Sequence, residues 1–255
     1  MAPVHVINSP YDNLPRPGRV RLVLRDSKRE SPSIMTFRFS PEGSAFRYVC
    51  QQAVRLALPD VEDPWGPART FSLSSSPTEE DILTVTCKIS DTPFKQALSR
   101  RKPGDPAEAY GPLGAFLFQA NRPALMMAGG IGITPFRGML RFASDTGTRQ
   151  PIALLYSART PEELVFAPEL DAIAEGHANI RVHYTVTRPQ DSKQGWAGRV
   201  GRIDEAWIRV HVRGLDRPMY YVAGLPEMVE SVVTTLRDRL GVSEEDIDYE
   251  VFRGF

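Results

Sequence analysis

The sequence predicts a two-domain protein, an N-terminal antiparallel β-barrel followed by a C-terminal α/β unit with a parallel sheet. Three observations predict it. Up to about residue 120 the chain carries short alternating or β-branched runs punctuated by Pro, Gly, Asp and Ser, the pattern of a barrel or sandwich. After Asn121–Pro123 compact apolar runs alternate with helical stretches, which implies parallel strands with helices on both faces. And 255 residues, 42% hydrophobic and 24% charged, supply two ordinary domains with buried cores.

Residues 1–16 contain three prolines and no sustained period, and read as a tail. From Arg19 the side chains alternate, Val20, Leu22 and Leu24 one way and Arg19, Arg21 and Arg25 the other, a half-buried strand. Ile34–Phe39, Ala53–Leu58, Thr70–Leu73 and Leu83–Ile89 are the further barrel strands. Beyond the boundary, Ala124–Ala128, Ile152–Ala158, Ile180–Thr187, Met219–Ala223 and Ile247–Phe252 read as strands. Helices are expected from Pro135 and over Pro161–Ala174, Asp204–Val210 and Pro226–Leu240.

Composition excludes several function classes. A net charge of zero argues against non-specific nucleic-acid binding. No apolar run approaches the ~18 residues of a membrane span, and the N-terminus has no hydrophobic signal region, so a cytoplasmic location is expected. Two cysteines, Cys50 and Cys87, can neither frame a disulfide scaffold nor supply the thiolates of an iron–sulfur cluster. His5, His177, His183 and His211 lack metal-ligand spacing, and no metal site is expected.

The segment Gly129-Gly130-Ile131-Gly132-Ile133-Thr134-Pro135 follows a strand and opens a helix. Glycines let backbone approach a phosphate, and the free N–H groups of a helix start attract its charge. Taken alone, the segment also suits a tight structural turn. The next strand ends Tyr156-Ser157-Ala158-Arg159, at the edge where parallel sheets bind ligands. Arg159 there favours a 2′-phosphate, as in NADP, or is a solvated surface arginine.

Four motifs in order resemble the ferredoxin–NADP reductase superfamily, from about Arg19 to Phe255. Arg69-Thr70-Phe71-Ser72-Leu73-Ser74-Ser75 is similar to its Arg-x-Tyr-Ser-x-x-Ser flavin motif. Gly111-Pro112-Leu113-Gly114-Ala115-Phe116 looks like the loop leaving its flavin domain. Gly129–Pro135 matches its pyridine-nucleotide loop, and Tyr221–Met228 sits where relatives carry Cys-Gly-Pro before a helix. The resemblance implies a FAD-binding barrel over 17–120 and a NAD(P)-binding α/β domain over 121–255. It implies that Arg69 pairs with the FAD pyrophosphate, that Phe71 lies against the flavin, and that Ser72 hydrogen-bonds near N5. Lys88, Ile89 and Ser90 would run along the ribityl chain. Thr70, Gly111, Gly114, Ala115 and Phe116 complete the flavin set. Gly130, Gly132, Ile133, Thr134, Pro135, Ser157, Arg159, Ala223, Gly224 and Met228 form the nucleotide set.

The chain departs from that pattern in places. Asp91-Thr92-Pro93 lacks the glycine and serine of the phosphate-binding helix start, Gln51-Gln52 replaces Gly-Gln, and Ala223 stands where many relatives place cysteine. With no thiol there, hydride transfer would rest on positioning and on the flavin itself. Relatives often end with an acid and, two residues later, an aromatic that covers the flavin; Glu250 and Phe252 match, and Phe255 is the other candidate for the stacking ring. Glu250 near Ser72 would relay a proton to N5, or be a solvated edge glutamate. The resemblance thus implies a reductase passing electrons from NADP or NAD, NADP preferred, through FAD to a ferredoxin or flavodoxin. A reductase of a small acceptor and a non-catalytic subunit are the alternatives, and nothing in the sequence sets the oligomeric state.

Overall fold

The computed structural model describes residues 14–43, 46–114 and 116–252. Strands β1 (Gly18–Ser31), β2 (Ile34–Pro41), β3 (Ala53–Ala57), β4 (Ala68–Ser72), β5 (Leu83–Lys88) and β6 (Pro106–Leu113) form an antiparallel sheet in the order β4-β3-β6-β1-β2-β5. A bridge between Leu73 and Val85 draws the two edge strands together, so the sheet curls into a barrel. The alternation of β1 sends Leu22 and Leu24 inward to meet Phe37, Phe39, Leu56 and Val85. Helix α1 (Pro93–Arg100) adds Phe94 and Leu98 to this core.

Strand β6 escapes the sequence pattern, because its inward residues are Ala107, Ala109 and Gly111, weak strand formers. Close packing demands them: a Cβ at Gly111 would lie 3.1 Å from both the Ala53 carbonyl oxygen and Val54 Cγ1. Gly111–Leu113 therefore end a strand, and only from Gly114 does the chain leave the barrel.

The second sheet is parallel throughout, in the order β10-β9-β8-β7-β11-β12. Its strands are β7 (Ala124–Gly129), β8 (Ile152–Ala158), β9 (Ile180–Val186), β10 (Arg199–Val200), β11 (Met219–Gly224) and β12 (Ile247–Val251). Strands buried on both faces need unbroken apolar runs, which is why β7 reads Ala-Leu-Met-Met-Ala. Met126, Leu154 and Tyr221 point toward α2 (Ile133–Asp145) and α3 (Ala167–Gly176), packing on Phe136, Leu140 and Leu170. Leu125, Leu155 and Val222 point the other way, toward α4 (Glu205–Val212) and α5 (Pro226–Thr234).

Two expected helices change form. The first begins at Ile133, so Pro135 is its third residue, still within the turn whose N–H groups have no intrahelical partner. The stretch Pro161–Ala174 is broken: a 3₁₀ turn, Pro161–Glu163, is followed by Phe166 at φ 66° before α3 starts. The break sets the Phe166 ring 5.9 Å from the Arg137 guanidinium. No helix among the described residues is long and apolar enough to cross a membrane.

Arg137 on α2 joins the two sheets. It donates to both oxygens of Glu79 and to the Ser74 carbonyl on the barrel side, and to Glu169 of α3 at 2.7 and 3.1 Å. One turn position on, Gly138 presses against the barrel, where a Cβ would lie 2.9 Å from the Ser75 carbonyl oxygen. Removing the guanidinium leaves two half-buried carboxylates facing each other. Arg137→Ala is expected to lower unfolding free energy by about 2–4 kcal/mol, at or below the buried-pair range because Glu79 and Glu169 keep some solvent; urea denaturation measures it.

Candidate functional site

An open cleft of about 160 Å³ lies where the barrel meets the parallel sheet. Phe71, Ser72, Lys88, Ser90 and Lys95 line it from the barrel side. Ile131, Thr134, Leu225 and Phe252 line it from the other. Ser72 ends β4, and Glu250 lies on β12 beside Ala223 of β11. Their side chains meet between barrel and sheet, Ser72 Oγ donating to Glu250 Oε1 at 2.7 Å. Burial pushes the Glu250 carboxyl up to about 7, against the pull of the Ser72 hydrogen bond and helped by the charge of Asp248. Its second oxygen, Oε2, is buried without a hydrogen-bond partner among the described residues. Phe252 follows two residues later, held by its N–H to the Gly224 carbonyl at 2.8 Å.

The glycine loop is shaped by how near two backbones come. A Cβ at Gly132 would lie 2.1 Å from the Ala223 carbonyl oxygen, so only glycine lets the helix start sit on β11. Gly130 takes φ +54°, the left-handed region. Met228 caps Gly129 and Gly224, at 3.2 and 3.1 Å from where their Cβ atoms would stand. Thr134 ties the turn through its hydroxyl to the Ile131 carbonyl at 3.1 Å. Ala223 and Ile133 are fully buried, and Pro135 is buried beside them.

At the end of β8, Ser157 is buried and Arg159 is exposed. The Arg188 N–H donates to the Arg159 carbonyl at 2.7 Å, which sets a second exposed arginine beside the first. Sequence reading missed Arg188, because only the pairing of β8 with β9 brings the two strand ends together.

The flavin-motif residues divide. Phe71, Ser72, Thr70, Lys88 and Ser90 line the cleft. Ile89 packs on the barrel core. Phe116 turns away from the cleft into the core, edge-on to Phe136 and Tyr221, because its apolar ring is better buried there than at the cleft edge. Ala115 and Phe255 lie outside the described residues. Arg69 is engaged within the chain: its Nη2 donates to Asp63 Oδ1 at 2.7 Å and its Nη1 to the carbonyls of Gly66 and Ala68, leaving Nε buried without a hydrogen-bond partner among the described residues. The departure at Gln51 has a conformational mark, φ 72°, a left-handed backbone that suits glycine better.

These residues fit a flavin dinucleotide. The cleft offers aromatic faces in Phe71 and Phe252, hydroxyls in Ser72 and Ser90, and cations in Lys88 and Lys95. Glu250 Oε2, on the residue bonded to cleft-lining Ser72, and Arg69 Nε, close to Phe94 of α1, are buried without a hydrogen-bond partner among the described residues.

Comparison with known proteins agrees with this geometry. The oxidoreductase NAD-binding domain family matches residues 126–234. Ferredoxin–NADP reductase B of Sorangium cellulosum is 32% identical over 236 residues, covering 86% of this chain and 92% of that one. The stachydrine N-demethylase reductase subunit Stc4 of Rhizobium meliloti is 32% identical over 78% of this chain but 57% of its own length; the chain spans about half of several other curated relatives. A ferredoxin NADP⁺ reductase from Neisseria gonorrhoeae, solved with bound FAD and NADP, superposes with TM-score 0.72 at 21% identity, over 94% of this chain and 99% of that one.

The Gly132 contact yields a direct expectation. Gly132→Ala must push the loop off β11, and should weaken NADPH or NADH binding by roughly tenfold or more while flavin content is retained; equilibrium titration of the two nucleotides reads it.

Proposed function

Because the chain belongs to the ferredoxin–NADP reductase family, we propose that it takes electrons from NADPH and delivers them through FAD to a small redox protein such as ferredoxin or flavodoxin. An FAD-containing NAD(P)H reductase is the family's activity, and the acceptor and the nucleotide preference are our reading. The observation that carries it is the hydrogen bond from Ser72 to Glu250, which ties barrel to sheet beside a cleft lined by a flavin-type barrel motif and a nucleotide-type glycine loop. In this reading residues 17–120 form the flavin unit and residues 121–255 the nicotinamide unit. The family names of the Sorangium ferredoxin reductase and the Rhizobium reductase subunit support a protein acceptor.

Bound FAD supplies the exchange between a two-electron donor and one-electron acceptors, which no side chain here can perform. The chain's residues position and protonate. Phe71 and Phe252 present aromatic faces from the two sides, and Phe252 must move aside for a nicotinamide to enter. Ser72 Oγ is held by Glu250 Oε1, and Glu250 Oε2, without a hydrogen-bond partner among the described residues, is where a proton is taken up or given back near neutral pH. Gly130 and Gly132 give a phosphate access to backbone N–H groups at the start of α2. Arg159 and Arg188, side by side at the strand ends, favour the 2′-phosphate of NADP.

Anaerobic stopped-flow mixing with NADPH and NADH tests the core of this reading: rapid bleaching of the flavin absorbance is expected, faster with NADPH. Slower reduction of a ferredoxin or flavodoxin than of free flavin, a quinone or a ferric chelate would overturn the acceptor assignment. Arg159→Ala should raise the KM for NADPH roughly ten- to thirtyfold and leave that for NADH within about twofold.

Glu250 makes a pH prediction. Its folded-state value of about 7 stands above the ordinary 4.5, so it favours the folded state at acid pH, and that contribution is lost as pH rises from 4.5 through about 7. Glu250→Gln should remove that decline in melting temperature. It should also flatten any inflection near pH 7 in the rate of flavin reduction.

A further inference from the structure

We propose that the Lys95 ammonium is the principal cation holding the diphosphate of bound FAD, a role that family resemblance would give to Arg69 and the helix start. The inference rests on the flavin reading above and assigns a residue that reading leaves out.

At the start of α1 the usual phosphate donors are already engaged. Pro93 has no N–H, and the Phe94 N–H donates to Asp63 Oδ2 at 2.9 Å. The other oxygen of Asp63 takes the Arg69 guanidinium at 2.7 Å, and the Asp63 side chain has no exposed surface. An internal carboxylate thus sits between the arginine and the helix start, where a phosphate would otherwise find both.

Lys95, in the first turn of the same helix, is the opposite case. It is 5% exposed, lines the cleft with Phe71, Ser72 and Lys88, and has no hydrogen-bond or ion-pair partner among the described residues. Burial holds its ammonium below the ordinary lysine range, opposed by Cys87 and reinforced more weakly by the charges of Arg69 and Lys88. An ammonium that opens only onto this cleft, with no counter-ion among the described residues, is costly unless an anion joins it. Asp91, the nearest acid ahead of the helix, is exposed and does not line the cleft. Lys88 and Lys95 line the cleft and none of its lining residues is acidic, so two positive charges stand ready for the two negative charges of a dinucleotide diphosphate. The phosphates are the only anionic part of oxidised FAD, so an unpaired cation in this cleft selects them over the ring.

The test titrates the full chain, freed of flavin, with FAD and with riboflavin, which has the ring and ribityl chain but no phosphate, following flavin fluorescence at fixed ionic strength. Lys95→Met should weaken FAD binding roughly ten- to a hundredfold and leave riboflavin within about twofold. Lys95→Arg, which restores the charge, should stay within a few-fold of wild type for FAD. Lys95→Gln is measured alongside, so that a folding defect of the methionine variant does not decide the result. Unchanged FAD affinity in both neutral variants, or equal losses for FAD and riboflavin, would overturn the assignment. Wild-type chain that binds no FAD would instead sink the flavin reading itself.

Discussion

Arg137 reaches from the first helix of the parallel sheet to Glu79 and the Ser74 carbonyl of the barrel while also holding Glu169, and the cleft depends on that reach. Two sheets of different class have no common hydrogen-bonding edge, so their relative position must be set by side chains and by close backbone contact. Here the two act at adjacent positions of α2: the guanidinium supplies directional, charge-assisted bonds, and Gly138 lets the helix backbone press on the Ser75 carbonyl. The cost of burying the guanidinium is offset because two carboxylates and a carbonyl saturate it. With that seam in place, Ser72 of the barrel and Glu250 of the sheet come within one hydrogen bond.

Desolvation then governs the chemistry of the cleft. It raises the carboxyls of Glu250 and Asp248, to about 7 and about 6, and lowers the ammonium of Lys95, so each group is pushed toward its neutral form. Asp63 is the counter-example. Burial works against its ionisation too, but the amides of Trp65 and Phe94 and the Arg69 guanidinium outweigh it, and its carboxyl lies below the usual range. A charge in this protein is therefore either satisfied from within, as in Asp63 with Arg69, or left waiting, as in Lys95 and the free oxygen of Glu250.

Much of the fold was legible along the chain because burial on one or both faces of a strand leaves a local record. β1 shows alternation and β7 an unbroken apolar run, and the glycine loop between β7 and α2 announces a close backbone approach. What was illegible had its cause in distant residues. β6 looks unlike a strand because Ala53 and Val54 crowd it, and α3 starts late because Phe166 is turned toward Arg137 on another helix. Of the site, Phe71, Ser72, Glu250 and Phe252 were readable from motif spacing; Arg188 was not, since a strand pairing alone brings it to Arg159.

The sequence by itself therefore determined the class of each sheet, the glycine loop and the family, since these rest on periodicity and short motifs carried within a few residues. Only the tertiary structure decided how the charges are partnered: that Arg69 is taken by Asp63, that Lys95 lines the cleft with no anion beside it among the described residues, and that Glu250 meets Ser72. The reason is physical. A side chain's ionisation and its availability to a ligand depend on which groups the fold packs around it, and those groups come from parts of the chain that no local pattern connects.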